Sequence, residues 1–129
     1  MKVKKVIAHR GNLHGLDGME NQPNQIKRVL KMGFEAEIDV WKEDKRFLLG
    51  HDKGVEQIEF DFLLQPGLWC HAKNLEAFEA MLEHPIINCF WHEEDQCTLT
   101  SHGYIWTFPE KQITSKSVLV DLDRQWYKK

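Results

Sequence analysis

The stretch "AEIDV" at residues 36–40 predicts a β-strand with one acidic face and one apolar face. Alternate side chains of a β-strand point to opposite faces. The acidic residues Glu37 and Asp39 therefore share one face, and the three apolar residues share the other. The acidic face has two interpretations. It is either the solvated side of a half-buried strand or a pair of carboxylates that holds a cation.

The residues before this strand predict a strand, a loop and a helix. Residues 5–8 form a short apolar strand, and the Gly- and Asn-rich residues 11–21 are typical of a loop. From 22 to 32 the apolar residues recur at helical spacing, with a proline in the first turn. We expect Asn21 to cap this helix and Gly33 to end it.

The residues after this strand predict further strands and a second helix. A hairpin through the polar "KEDK" leads to the strand "RFLLGHD" (46–52), and the weakly helical pattern at 55–64 is left open. Asn74 is expected to cap a helix whose apolar stripe includes Phe78 and Met81. The other predicted strands lie in "LWCHAKN" (68–74) and "IINCFWHEED" (86–95), where a strand is followed by polar residues, and in "GYIWTF" (103–108) and "SVLVDL" (117–122). The predicted order is β-α-β-β-(α?)-β-α-β-β-β.

This alternation of strands and helices predicts an α/β fold with a largely parallel sheet and right-handed crossovers. In such folds functional sites lie at the carboxyl ends of the strands. Four of the seven histidines fall at or just beyond a predicted strand end, and they are His9, His51, His71 and His92. A single histidine is more often a surface residue or a hydrogen-bonded core residue than a site residue, so only the combination of these histidines indicates a site.

Length and composition limit the classes of protein to consider. A chain of 129 residues with 42% hydrophobic content predicts a single domain over 1–129. A net charge of -3 without a long basic run argues against a nucleic-acid partner. The chain has no apolar stretch long enough for a membrane span, and its start is too short in apolar length for a signal peptide. Three cysteines without CxxC spacing suit a reducing compartment, so we expect a cytoplasmic protein.

Four motifs resemble the amino-terminal half of the glycerophosphodiester phosphodiesterase family, which is related to phosphatidylinositol-specific phospholipase C. They are "HRGN" (9–12), "MENQPNQI" (19–26), "GFEAEIDVWKED" (33–44) and "LLGHD" (48–52). They occur in the family's order with family-like spacing and cover about the first 55 residues. Beyond "HAKN" (71–74) the resemblance is weak.

The resemblance implies a role for each matched residue. The implied acid and base pair is His9 and His51, and the implied phosphate contacts are Arg10 and Lys73. The implied metal ligands are Glu37 and Asp39. Glu20 is implied to belong to the metal or substrate shell, and Asn21 to support the turn. The implied cofactor is a divalent cation, Mg or Ca. The family has a glutamate where this sequence has His71. Either His71 is a metal ligand and shifts the metal preference of the site toward Mn or Zn, or it hydrogen-bonds the substrate or a neighbouring residue.

The implied fold is a TIM-type barrel, but 129 residues are short for eight strands and eight helices. We therefore expect a reduced or compact barrel that is open or lacks helices, or two chains that complete one another as a homo-oligomer. The implied reaction is hydrolysis of a small phosphodiester to a phosphomonoester and an alcohol. The alternatives are a binding module of the same family that has lost turnover and a structural protein with incidental motifs.

Residues of the carboxyl-terminal third have no counterpart in the resemblance. They either line a substrate pocket or belong to the core, and aromatic residues in strands are more often core residues. The residues concerned are Trp91, His92, Glu94, Tyr104 and Trp106.

Overall fold

The structure is a computed structural model that describes residues 6–13, 18–108 and 111–119. The predicted strand residues at 5 and 120–122 lie outside this description. The described strands are β1 (Ile7–His9), β2 (Glu35–Glu43), β3 (Arg46–Leu49), β4 (Glu56–Ile58), β5 (Leu68–Ala72), β6 (Asn88–Trp91), β7 (Cys97–Leu99), β8 (Ile105–Thr107) and β9 (Ser117–Leu119). The helices are α1 (Pro23–Lys31), a 3-10 helix (Phe60–Leu64) and α2 (Leu75–Leu82).

The larger sheet has six strands and is built around β2, its longest strand. The order is β4-β3-β2-β5-β6, and β1 also pairs with β2. Strands β1, β5 and β6 run parallel to their neighbours, whereas β3 and β4 are antiparallel. Because β5 pairs with residues 36–40 of β2, β1 and β3 share the opposite edge of β2. Along that edge, β1 pairs with residues 35–37 of β2 and β3 pairs with residues 40–43.

The expected α/β barrel of TIM type, reduced or compact, is wrong. The described strands form this mixed sheet and a separate three-stranded sheet of order β7-β8-β9, and they do not close into a barrel. The reason lies in the connections. The predicted hairpin is confirmed and adds antiparallel strands at one side, while β6 leads into the antiparallel pair β7 and β8 instead of another strand and helix of a parallel repeat.

Local signals place both α-helices where the sequence predicts them. Helix α1 begins with a proline and is followed by Gly33, whose φ of 93° suits a glycine. The expected cap by Asn21 is wrong, because Gln22 occupies the N-cap position and makes no side-chain cap bond. Helix α2 confirms its cap, since Asn74 accepts a hydrogen bond from the backbone N–H of Ala77 at 3.0 Å. Within the described part of the chain, no helix is long and apolar enough to cross a membrane.

The open segment 55–64 divides into β4 and the 3-10 helix. Strand β7 was not anticipated either. Both strands have only three residues, and unlike the equally short β1, β8 and β9 they do not lie in an apolar run of the sequence.

The two faces of the larger sheet are packed differently. The helices cover an apolar core on one face, which includes Ile26, Ile38, Val40, Cys70 and Met81. On the other face a smaller cluster joins the two sheets and consists of Trp69, Phe90 and Trp106. Of the residues without a family counterpart, Trp106 is thus a core residue. The remainder of this second face carries Glu37 and Asp39, and both are almost completely buried.

Candidate active site

Three side chains of neighbouring strands form a group that suits a metal ion. Glu37 and Asp39 of β2 and His71 of β5 each offer one ligand atom, and these atoms lie within 4.8 Å of one another. The pairing register explains the group, because Asp39 stands opposite His71 on the adjacent parallel strand. His71 Nδ1 lies 3.1 Å from Asp39 Oδ1 and 3.7 Å from Glu37 Oε2. Neighbouring ligands of one small cation are about 3 Å apart, so these separations suit a shared ion.

A hydrogen bond defines which nitrogen of His71 faces the carboxylates. Its Nε2 lies 2.8 Å from the backbone oxygen of His92. A carbonyl oxygen only accepts, so Nε2 carries the hydrogen and donates it. In the neutral ring the lone pair is then on Nδ1, beside Asp39 and Glu37. Metal-binding histidines usually donate their second ring N–H to a carbonyl or carboxylate in this way.

The two carboxylates differ in their affinity for a proton. Burial, reinforced by the charge of Asp39, raises the pKa of Glu37 well above its usual value. Burial also acts to raise the pKa of Asp39, but its interactions with the ring of His71 and the hydrogen bond from Asn21 outweigh burial and lower that pKa to about 2. A cation between the two groups would stabilise the ionised form of both, because it replaces the repulsion between them by attraction.

Arg10 connects the end of β1 to both carboxylates. Its backbone N–H donates to Glu37 Oε1 at 3.1 Å, and its Nε lies 3.8 Å from Asp39 Oδ2. Its Nη1 donates to Glu20 Oε2 at 2.8 Å. Arg10 has a φ of 55°, a left-handed conformation that is costly for a side chain of this size and is concentrated at functional sites.

The two histidines expected to act as acid and base lie at the end of β1 and just beyond the end of β3, the two strands that share one edge of β2. His9 Nε2 lies 3.8 Å from Glu37 Oε1, so the two belong to one site. Burial and the charge of Arg10 lower the pKa of His9 to about 4, and the charge of His51 also contributes. His51 is more exposed, and its Nδ1 lies 2.9 Å from the carboxylate of Asp52.

A cleft of about 230 Å³ lies beside His51. Its lining includes Glu20 and Asn21 from the loop before α1, Lys53 from the connection to β4 and Glu56 at the start of β4. The backbone N–H of Gly50 donates to the backbone oxygen of Asp39 at 3.2 Å, which holds this connection against β2.

Lys73 lies just beyond the end of β5. Its backbone N–H donates to the oxygen of Val40 at 2.8 Å. Its positive charge helps to lower the pKa of Asp39, after the larger effects of His71 and Asn21. The same charge acts on His92, whose pKa is lowered by burial first and by His71 next. Lys73 is therefore within electrostatic range of both residues.

Several polar atoms near the ends of β1 and β6 are buried without a partner. Within residues 6–13, 18–108 and 111–119, buried side-chain atoms with no hydrogen-bond partner are Arg10 Nε, Asn12 Oδ1 and both ring nitrogens of His92. Native proteins satisfy the large majority of such atoms, and exceptions call for an explanation. Their position at the carboxyl ends of parallel strands is where a ligand is expected.

The structure thus brings most of the sequence-predicted site residues together. Glu37, Asp39 and His71 form the group of three, and His9 and Arg10 contact it. Glu20 is not part of that group and instead binds Arg10. The sequence left two interpretations open for His92, a residue of a substrate pocket or of the core, and it indicated no role for Asn12. The signal for His92 was its position just beyond a predicted strand, which it shares with His9 and His51.

No family model, curated protein or solved structure matches this chain. The resemblance to phosphodiesterases therefore rests on the four short motifs.

Proposed function

We propose that the protein is a metal-dependent phosphodiesterase that hydrolyses a small, glycerophosphodiester-like substrate to a phosphomonoester and an alcohol. The observation that carries this proposal is the group Glu37, Asp39 and His71 with His9 in contact with it. A binding site for a cation alone has no use for a neutral imidazole beside its ligands. A hydrolytic site needs one as a proton acceptor.

The donor set of the group fits a divalent cation. Two carboxylate oxygens and one imidazole nitrogen suit Mg, Mn or Zn, and the nitrogen favours Mn and Zn over Ca. The bond from His71 to the backbone oxygen of His92 holds the ring in the orientation that a ligand requires. When bound, the cation supplies positive charge that polarises the phosphoryl group and stabilises the charge that develops on its oxygens.

Two basic side chains are placed to bind the phosphoryl oxygens. Arg10 is held by Glu20 and lies close to Asp39, and its buried Nε has no hydrogen-bond partner among the described residues. Lys73 lies within electrostatic range of Asp39 from the neighbouring strand. A phosphodiester is an anion, so these two cations bind it and stabilise the additional charge of the transition state.

The two histidines divide the proton transfers. His9, with a pKa of about 4, is unprotonated at neutral pH and accepts a proton from the attacking water or hydroxyl. His51 donates a proton to the leaving alkoxide. The carboxylate of Asp52, 2.9 Å from its Nδ1, accepts the hydrogen of that nitrogen and orients the ring so that Nε2 is the reacting atom.

The direct test is hydrolysis of bis(4-nitrophenyl) phosphate by protein stripped of metal and then supplied with Mg, Ca, Mn or Zn. We expect release of nitrophenolate only after metal addition, and loss of that activity in the double variant Glu37→Gln, Asp39→Asn. The matched control is Glu43→Gln together with Asp44→Asn at the exposed end of the same strand. Absence of hydrolysis with all four metals would refute the enzymatic proposal.

The second candidate is a binding module that retains metal and phosphate without turnover. It is favoured by the placement of Glu20, which binds Arg10 and leaves only two carboxylates in the group of three. Calorimetric titration distinguishes the two candidates. A module binds metal and a dialkyl phosphate with no accumulation of monoester, whereas an enzyme converts the diester.

A further inference from the structure

His92 occupies the end of β6 beside the candidate active site. Its ring centroid lies 6.2 Å from that of His71 and 4.7 Å from that of Phe108. Its backbone oxygen accepts the hydrogen bond from His71 Nε2. The ring therefore lies beside a residue of the candidate metal group, and the chain just beyond β6 supplies it independently of the strands that carry His9 and His51.

The ring of His92 is buried but makes no hydrogen bond with the described part of the chain. Only 9% of the residue is exposed, and both ring nitrogens lack a partner. Its main-chain role toward His71 requires no imidazole, because any residue offers the same backbone oxygen. A buried polar group without a hydrogen-bond partner lowers the stability of the folded protein. Such a cost is retained where a ligand satisfies the group.

We infer that His92 is a specificity-determining residue that hydrogen-bonds a hydroxyl on the alcohol portion of the bound phosphodiester. This inference rests on the proposed function, and it adds the residue that recognises a free hydroxyl on the alcohol of the glycerophosphodiester-like substrate.

The hydrogen-bonding capacity of the His92 ring indicates a hydroxyl group as its partner. A neutral imidazole offers one N–H donor and one lone-pair acceptor. The oxygens of a phosphodiester anion only accept, and they are already matched by Arg10 and Lys73 in the proposed site. The lone pair of His92 needs a donor, and a hydroxyl is the simplest donor on an alcohol. Phe108, about one-third exposed against the same ring, offers an apolar surface for the carbon chain.

The experiment compares two chromogenic diesters that differ only in hydroxyl groups, glyceryl 4-nitrophenyl phosphate and propyl 4-nitrophenyl phosphate. We expect the wild-type protein to prefer the glyceryl ester in kcat/KM by about tenfold, as a site built to bond a hydroxyl rejects the analogue without it. The preference should fall to near unity in His92→Leu and be partly retained in His92→Gln, which keeps a donor and an acceptor. His84→Leu, an exposed histidine on another part of the surface, is the matched control and should keep the preference.

Two results would overturn the inference while the proposed function stands. They are hydrolysis of both esters at the same rate by the wild type, and an unchanged preference in His92→Leu. If neither ester is hydrolysed, the enzymatic proposal fails, and binding decides the inference. With Mg present, glyceryl methyl phosphate should shift the ring ¹⁵N resonances of His92 in NMR spectra and propyl methyl phosphate should not. Equal shifts, or none, would refute the role of His92.

Discussion

The side chain of Asn21 forms two hydrogen bonds with Asp39. Asn21 Nδ2 donates to Asp39 Oδ2 at 3.0 Å, and the backbone N–H of Asp39 donates to Asn21 Oδ1 at 2.8 Å. Both residues are almost fully buried. Asn21 also has a φ of 56°, which asparagine tolerates better than most residues. This pair fixes the loop before α1 to the strand that carries the candidate ligands.

Removal of the Asn21 side chain should lower stability. In Asn21→Gly the backbone conformation remains favourable, but Asp39 loses two bonds and keeps its burial, so we expect a loss of about 2 kcal/mol in the free energy of unfolding. Urea unfolding in the presence of a chelator measures it. The exposed Asn24→Gly near the start of α1 controls for the effect of glycine itself. A loss in Asn21→Gly no larger than in this control would contradict the structural role.

Substitution of either proposed catalytic histidine should reduce turnover without unfolding the protein. We expect His9→Ala and His51→Ala each to lower kcat by about a hundredfold to ten-thousandfold, because each removes a general acid or base. Steady-state assays with bis(4-nitrophenyl) phosphate measure the effect, and circular dichroism checks the fold. Near-normal turnover in one variant would remove that histidine from the mechanism.

His71 should determine which metal is preferred. In His71→Glu a third carboxylate replaces the nitrogen donor, so affinity for Mg and Ca should rise relative to Mn and Zn. His71→Ala should weaken binding of every metal by about tenfold or more, since one ligand is lost. Calorimetric titration of the metal-free protein gives the affinities. If both variants keep the wild-type affinities and order of metals, His71 is not a ligand.

The low pKa of His9 predicts a dependence of stability on pH in the metal-free protein. The pKa falls from 6.5 to about 4 on folding, so the unfolded chain binds the proton first as pH decreases. The contribution of neutral His9 is complete above about pH 6.5 and is lost progressively as pH falls toward 4. Between pH 7 and 4.5, wild type should lose about 2 kcal/mol more than His9→Gln. Urea unfolding at both pH values measures the difference, and equal losses would contradict it.

Local patterns in the sequence predicted the elements whose causes are local. The hairpin between β2 and β3 follows from an alternating strand and a short apolar strand on the two sides of a polar turn, and Asn74 caps α2 as expected. The side chain of Asn74 also bonds the backbone of Lys42, which no local pattern reveals. Asn21 illustrates the same limit. An asparagine before a helix can cap that helix or bond a distant strand, and only the position of Asp39 decides between them.

The arrangement of the strands was the part that sequence patterns could not determine. The parallel pairing of Ile7 with Glu35 joins residues far apart in the chain, and β1 shares its edge of β2 with β3. Closure of a barrel depends on such distant pairings and on how many parallel repeats follow. The site was easier to anticipate, because strand alternation and the carboxyl ends of parallel strands place Glu37, Asp39 and His71 together in an open sheet as well as in a barrel.

The alternation along β2 also protects the sheet against misalignment. Ile38 is fully buried on the helix-covered face, between Glu37 and Asp39 on the other. A slip of β2 by one residue would exchange the faces and force both carboxylates into the apolar core, far from Arg10 and Asn21. Burial of unpaired charges there would cost several kcal/mol, so misregistered pairings are disfavoured. The two acidic residues proposed to bind the metal thereby also select the correct alignment of the central strand during folding.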